Sequence, residues 1–516
     1  MGRSDDNASS AVQLFLTASE AYPVFERLFL EAESEISAGF RVFDPCTRLC
    51  SHEARAIGET WADLIAHTLA RGVKFRLLLT DFDPVVAPDL HRMTWRSVTA
   101  LKAAGEASGN PDLMTLLPLL HPARMGLVPR VMLRSKILRK IGAEAARLNE
   151  LPFEDACHDL KHMPGLTPYL RGKHPQLRAK TWPIPAIVPV THHQKLAVFD
   201  GQRLYIGGLD LNERRYDTPE HDRPGAQTWH DTQVLIDGPA AADARDHLNE
   251  ITPVANGDRT ASRLPNLVRT LSARHPRETF RMSPKPVDTG IERAHLEWFE
   301  KSSQLIYLET QYFRSVSLAR ALVRAARANA RLNLLLVLPG APDDVAFEGS
   351  TSSDARYGEY LQAKCVGLVR KAFKERCFVM SPAQPKQSYS HGRSALQEAP
   401  LVYLHAKVSI FDDAAALVSS ANLNGRSLRW DTEAGVTLRG ADTVNTMRRR
   451  CFQHWLPEDA PAAAYDPETA VATWRQLAKD NADRAPEDRQ GFVLSYPVAA
   501  ARRFGRNLPG VPEELV

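Results

Sequence analysis

The chain has 516 residues, 44% of them hydrophobic and 24% charged, with a formal net charge of +4. That length exceeds an ordinary single domain, and the apolar content is enough for large cores, so disorder is not the default reading and two or more domains or one pseudo-symmetric pair are expected. The near balance of charge gives no support to a globally basic nucleic-acid binder.

In chain order, the polar start MGRSDDNASS has neither the basic stretch nor the apolar core of a secretory signal, and Asp6 stands where a myristoylation motif needs Ser or Thr. An amphipathic helix is predicted over about 20–37, then FRVFDP as a strand, a helix ending in RGV, and a second strand in KFRLLLTDFDP. Residues 85–185 read as an insertion with helices and the Pro-rich exit TWPIPAIVPV. Within it, Arg130, Arg134, Lys136, Arg139 and Lys140 line a basic helical stretch whose other face holds Val131, Leu133, Ile137, Leu138 and Ile141. It reads as a surface helix packed on its lobe, with a helix lying on anionic lipid as the alternative. A polar stretch near 256–285 marks a boundary. The second half repeats the order: HLEWFEKSSQ, then LIYLETQYF as a strand, a helix near 316–330, LNLLLVLPG as a strand, and a shorter gap with a loop in SPAQPKQSYSHGRSALQEAP. The closing AARRFGR reads as a solvated tail.

Cys46, Cys50, Cys157, Cys365, Cys377 and Cys451 form no CxxC pair and read as reduced structural thiols. No apolar run approaches the ~18 residues that span a bilayer. A cytoplasmic or peripheral protein is expected, with export by a route other than Sec left open.

The internal repeat carries the chemistry. HHQKLAVFDGQRLYIGGLDLN (192–212) aligns with LHAKVSIFDDAAALVSSANLN (404–424). Each holds a His, a Lys two residues later and an Asp five after that: His193, Lys195 and Asp200; His405, Lys407 and Asp412. Residues two apart on a strand share a face, so each His and Lys project together. Two such pairs related by a pseudo-twofold axis suit one phosphodiester. One His attacks phosphorus, the other protonates the leaving alkoxide and then activates water or an alcohol, and the lysines hold the phosphate oxygens. The scheme calls for no cofactor and no metal. One copy of the motif is weak; two at equivalent places in a repeated unit are hard to explain by packing.

With the flanking GGLDLNERRYDTPEH, WHD, LIYLETQYF and SSANLNGRSLRWDTE, the chain resembles the phospholipase D superfamily, and within it the eukaryotic-type members without C2 or PH domains. The resemblance implies an α/β fold of two pseudo-symmetric lobes, each a mixed, mostly parallel sheet flanked by helices, with the active site at their interface. Lobes at 1–265 and 266–480 and a tail at 481–516 are expected. It implies His193 as nucleophile and His405 as acid/base, Lys195 and Lys407 on the phosphate, and Asp200 and Asp412 as the motif aspartates. Asn422, Asp210, Gly208 and Ser420 fall on substrate-binding positions. Asp231 of WHD and Glu433 of DTE fall on acids that orient the imidazoles. Ser419-Ser420 departs from the usual Gly-Ser and Asp210 from the commoner Asn, without removing a catalytic group. Trp229 and Trp430 either line the pocket or pack the core; His192 and His230 read as structural.

The implied activity is hydrolysis of phospholipids to phosphatidic acid, with transphosphatidylation. The alternatives are a cardiolipin-synthase-like phosphatidyl transferase and a nuclease or other phosphodiesterase of the superfamily. A phospholipid surface is the expected partner, nucleic acid is not, and both motifs in one chain favour a monomer.

Overall fold

The computed structural model of the chain describes residues 12–516 apart from Glu278 and His391. The amino-terminal lipidation reading lies outside the described residues, as does His391 of the loop predicted at 381–400. Two sheets organise the molecule. The first holds β1 (Val12–Phe15), β2 (Glu35–Phe40), β3 (Lys74–Thr80), β4 (Met114–Leu119), β5 (Leu196–Phe199), β6 (Arg203–Gly207) and β7 (Gln233–Asp237), in the order β1-β7-β6-β5-β2-β3-β4. The second holds β8 (Val268–Ala273), β9 (Lys285–Thr289), β10 (Leu305–Thr310), β11 (Asn333–Val337), β12 (Cys377–Pro382), β13 (Lys407–Phe411), β14 (Ala415–Ser419), β15 (Glu433–Arg439) and β16 (Val493–Ser495). Its order is β9-β8-β15-β14-β13-β10-β11-β12-β16, so all seven strands of the first sheet recur in the same order as β8-β15-β14-β13-β10-β11-β12.

The α/β class and the pseudo-symmetry stand. Within the two sheets, direct parallel pairing is confined to β2-β3-β4 and β10-β11-β12, the strands joined by helical crossovers. The His-motif strands return as antiparallel hairpins, β5-β6 and β13-β14. Strand direction is mostly shared in the first sheet, where only β5 and β7 oppose the rest, and nearly balanced in the second.

Alternation explains why β5 is apolar throughout and why Val408 and Ile410 of β13 are apolar. Leu196 and Val198 face a core between the sheets; Ala197 and Phe199 face the outer helices. The inner core joins Leu204 and Ile206 of the first sheet to Val408, Val418 and Val436 of the second, with helices Pro239–Asn256 and Ala441–Trp455 packed into it. Helices Ala18–Glu31 and Trp61–Ala70 cover the outer face of the first sheet through Phe25, Phe29 and Trp61.

Two sequence boundaries move. Helix Pro88–Ala107 and β4 belong to the first sheet as a parallel crossover, so the insertion begins only after residue 119, not at 85. Residues 481–516 are no tail. β16 extends the second sheet beside β12, helix Val498–Phe504 buries Ala501, and Glu514 pairs with Arg429 at 2.5 Å. Pairing with a distant strand edge is a tertiary property that the basic AARRFGR stretch did not announce. The six cysteines are free.

Candidate active site

His193 and Lys195 lie immediately before β5, and His405 and Lys407 at the start of β13, so each pair is presented at the same end of its strand. The Nζ of Lys195 donates to the His193 carbonyl at 2.5 Å, and Lys407 does the same to the His405 carbonyl. All four residues are buried or nearly so, with 12% of the His193 side chain and 5% of that of His405 left accessible.

The two halves exchange acids. His193 Nδ1 lies 3.0 Å from Glu433 of the second sheet, and His405 Nδ1 lies 2.5 Å from Asp231, which precedes β7 of the first. The backbone repeats the exchange. The His193 N–H donates to the Thr432 carbonyl at 2.7 Å, and the His405 N–H to the His230 carbonyl at 2.7 Å. Each carbonyl belongs to the residue just before the acid. Trp229 and His230 pair in parallel with Tyr403 and Leu404, and His192 bridges Thr432. With Nδ1–H committed to a carboxylate, each imidazole presents Nε2 as its free nitrogen.

Asp210 reaches toward Lys195 at 3.8 Å and toward Arg215 at 3.9 Å, while its other oxygen accepts the Val42 N–H at 2.9 Å. The Asn422 carboxamide oxygen is buried without a partner among the described residues. The small pairs serve the acids. A Cβ on Gly208 would sit 2.2 Å from the Asp231 carboxylate, so glycine permits its close approach. The Ser420 hydroxyl donates to Glu433 and accepts the Ala434 N–H at 3.2 Å. Trp229 lies beside His405 at 4.9 Å between ring centroids and carries the Arg215 guanidinium 3.5 Å above its ring. Trp430 instead packs with Ala123, Val188 and Val190.

The electrostatics follow from burial. Desolvation, followed by the nearby lysines and arginines, holds both His193 and His405 well below the usual histidine range. Desolvation also pulls Lys195 down to about 8, against the pull of Asp210 and Glu433, and lowers Lys407. It pushes Asp231 and Glu433 upward, against the lysines. An arriving phosphodiester anion would offset the cations and favour a protonated imidazole.

The motif aspartates are elsewhere. Five residues of extended chain, about 17 Å at ~3.3 Å each, separate Lys195 from Asp200. Asp200 accepts the Ser34 N–H at 2.8 Å, the Ser34 hydroxyl at 2.7 Å and the Glu35 N–H at 3.1 Å, anchoring the loop that enters β2. Asp412 accepts the N–H groups of Ser303, Gln304 and Leu305 at 2.7, 2.9 and 2.8 Å before β10. Both have left-handed φ, 50° and 54°, which Asp tolerates in a tight hairpin. The structure therefore brings together His193, Lys195, His405, Lys407, Asp210, Asp231, Glu433, Gly208 and Ser420, leaves the Asn422 carboxamide oxygen without a hydrogen bond to them, and sets Asp200 and Asp412 apart as turn anchors.

Arg215 was not singled out from the sequence. The signal was its place in NERRYD, three residues after Leu211-Asn212, but nothing local showed that it would meet Trp229 and Asp210.

Comparison with known proteins follows the geometry. A family profile described as "Cardiolipin synthase, PLD-like domain" matches residues 296–455. "Phospholipase D1" of Schizosaccharomyces pombe is 24% identical over 442 residues, 64% of this chain and 31% of that protein. "Phospholipase D alpha 1" of Oryza sativa is 21% identical over 450 residues, 60% of this chain and 55% of that protein. The chain thus spans between 31% and 55% of the length of these curated relatives. The crystal structure of a phosphatidylserine synthase of Haemophilus influenzae Rd KW20 aligns at 12% identity with a TM-score of 0.48, over 92% of this chain and 94% of that one.

Proposed function

We propose that the chain is a phospholipase D, like the superfamily proteins it is similar to, hydrolysing phospholipids to phosphatidic acid and the head-group alcohol and transferring the phosphatidyl group to acceptor alcohols. One observation carries the reading: two His–acid pairs, each built across the two halves of the chain, meet two buried lysines at one site.

Neutral His193 attacks phosphorus through Nε2. The N–P bond forms as the bond to the head-group oxygen breaks, and the proton on His405 passes to that oxygen. Glu433 steadies the positive charge that develops on His193. Lys195, Lys407 and Asn422 hold the non-bridging oxygens, whose charge grows in the transition state. Water or an alcohol then gives its proton to His405 and attacks phosphorus. The P–N bond breaks and both imidazoles are restored. The smaller enclosure of His193 supports its role as nucleophile, since that nitrogen needs an approach path.

Lipid as substrate is supported by the named relatives and by the surface of the insertion. Leu127, Val131 and Met132 are exposed at 48%, 52% and 79%, beside exposed Arg134, Lys136 and Arg139. Among the described residues no helix is long and apolar enough to cross a membrane. Access from a bilayer surface by a monomer is part of the proposal, and nucleic acid is not.

The family profile favours a second reading, a cardiolipin-synthase-like transfer in which a lipid alcohol replaces water. Mixed phospholipid vesicles with ethanol, with and without EDTA, test both. Phosphatidylethanol and phosphatidic acid are expected from the first. Product only when phosphatidylglycerol serves as acceptor would select the second. No lipid product, with cleavage of single-stranded DNA, would overturn both.

A further inference from the structure

We propose that His221, His230 and His454 form a site for one divalent transition-metal ion, of the borderline class that imidazole nitrogen takes, which ties residues 217–231 to the end of helix Ala441–Trp455. None of the three belongs to the phosphoryl-transfer machinery.

The tautomers are set from outside the cluster. His221 Nδ1 lies 2.7 Å from Asp217 Oδ2, so its N–H donates there and Nε2 keeps a lone pair. His230 Nε2 lies 2.6 Å from Glu309 Oε1, so its N–H donates there and Nδ1 keeps the lone pair. A carboxylate behind a histidine, fixing which nitrogen faces inward, is the usual support of a metal-ligating imidazole. His454 Nε2 lies 2.9 Å from His221 Nε2. One nitrogen from each ring falls within 4.8 Å of the others. The single N–H of His454 Nε2 serves His221, while His230 Nδ1, in a fully buried residue, has no partner. With its proton moved to Nδ1, His454 offers Nε2 as a third lone pair, and a cation satisfies all three at once.

The fit needs an adjustment. Bonds of ~2.0–2.1 Å in a tetrahedral site set ligand nitrogens about 3.3–3.4 Å apart, so the closest pair opens by a few tenths of an ångström and a pair as wide as 4.8 Å closes by up to about 1.4 Å. Three imidazoles leave a fourth position for water. Trp455 stacks on His221 at 5.7 Å, and Phe492 packs at 5.1 Å, giving the site an apolar wall. His454 is only partly buried, which leaves an entry path. Asp217, fully buried with the Thr218 N–H and His221 as partners, supplies negative charge next to the ion. The other charged neighbour from the helix, Arg450, is held by Glu20 at 2.8 Å.

The site has a structural consequence. His230 precedes Asp231, and its carbonyl holds the His405 N–H. An ion on His230 therefore braces the strand that positions the acid of His405.

The test uses the full chain, stripped with a chelator, desalted, and equilibrated with ZnCl2 or CoCl2. About one equivalent of zinc per chain should survive desalting, by elemental analysis, and cobalt should give tetrahedral visible bands. His454→Gln, at a partly exposed position, should fold by circular dichroism yet retain no ion and lose the zinc-dependent rise in thermal midpoint. Asp217→Asn should weaken zinc by about 10–100-fold in competition with a chromophoric chelator. Wild-type protein that retains no zinc, or His454→Gln that retains as much as wild type, would overturn the proposal, and the wild-type measurement needs no variant to fold.

Discussion

The two half-sites share one backbone and differ in what fills it. Around His193 the acid is the longer Glu433, steadied by the Ser420 hydroxyl, and the imidazole keeps an accessible edge. Around His405 the acid is the shorter Asp231, admitted by the missing side chain of Gly208, and Trp229 covers the ring. A duplicated unit supplies symmetry for binding a phosphate. Catalysis by two histidines in different roles needs asymmetry, and that resides in single side chains: Glu433 against Asp231, Ser420 against Gly208, and Trp229 against Asp431. The open half suits attack; the covered half suits a proton kept from water.

The comparison breaks first at the histidines. His193→Ala and His405→Ala should each lower kcat/KM on phospholipid by about four orders of magnitude or more. They should part on a substrate with an activated phenolic leaving group. His405→Ala should still form phosphohistidine, trapped by acid quench of labelled lipid, because that leaving group needs no proton. His193→Ala should form none. Trapped label in His193→Ala alone would reverse the roles.

Exchange of acids gives the next effect. Glu433→Gln and Asp231→Asn should each cost about 10²–10⁴-fold, through loss of the imidazole's orientation and charge partner. Double-mutant cycles should couple His193 with Glu433 and His405 with Asp231, each pair 240 or 174 residues apart, more strongly than His193 with Asp231. Equal coupling of all four would mean that the acids act through the general field and not through a dedicated imidazole.

How much of this was readable beforehand depended on distance along the chain. His193 with Lys195, and His405 with Lys407, lie two residues apart, and strand periodicity alone sets each pair together. LAVF was legible as a buried strand because both faces are apolar, and VSIF by its alignment with it, with Ser409 the one polar residue. Asp231 and Glu433 were legible as orienting acids, but not which imidazole each would serve, since that follows from the sheets packing face to face. Asp200 shares the motif with His193 yet sits at the far end of its strand, where spacing could not separate anchor from catalyst. The edge strand Val493–Ser495 was missed because three residues carry little periodicity and only pairing with β12 defines them.

Smaller effects sharpen the same contrast through pH. Burial holds the imidazoles well below the usual histidine range, so the acid limb of kcat/KM, where the His193 nucleophile takes up a proton, should lie below that range. Lys407, pulled down to about 7, and Lys195, to about 8, should lose their charge and their hold on phosphate as pH rises through those values, which gives the alkaline limb. A rate that climbs steadily to pH 10 would show that the lysine charge is not needed.

The smallest effect on chemistry, and the clearest separation of anchor from catalyst, is expected from Asp200→Asn. Burial opposes ionisation of Asp200, but the hydrogen bonds from Ser34, Glu33 and Glu35 prevail and hold its folded pKa below the usual carboxylate value. A group with a depressed folded pKa stabilises the fold above its unfolded pKa of about 3.9, and that contribution fades as pH falls through the folded value. Asparagine keeps one acceptor and loses the other, along with the charge. Urea unfolding at pH 7 should show a loss of about 1–3 kcal/mol, and the gap between wild type and variant should close below pH 4. Under conditions where both are folded, kcat should stay within about twofold, since Asp200 touches neither imidazole nor lysine. A fall in kcat of the size expected for Glu433→Gln, at unchanged stability, would return Asp200 to the active site.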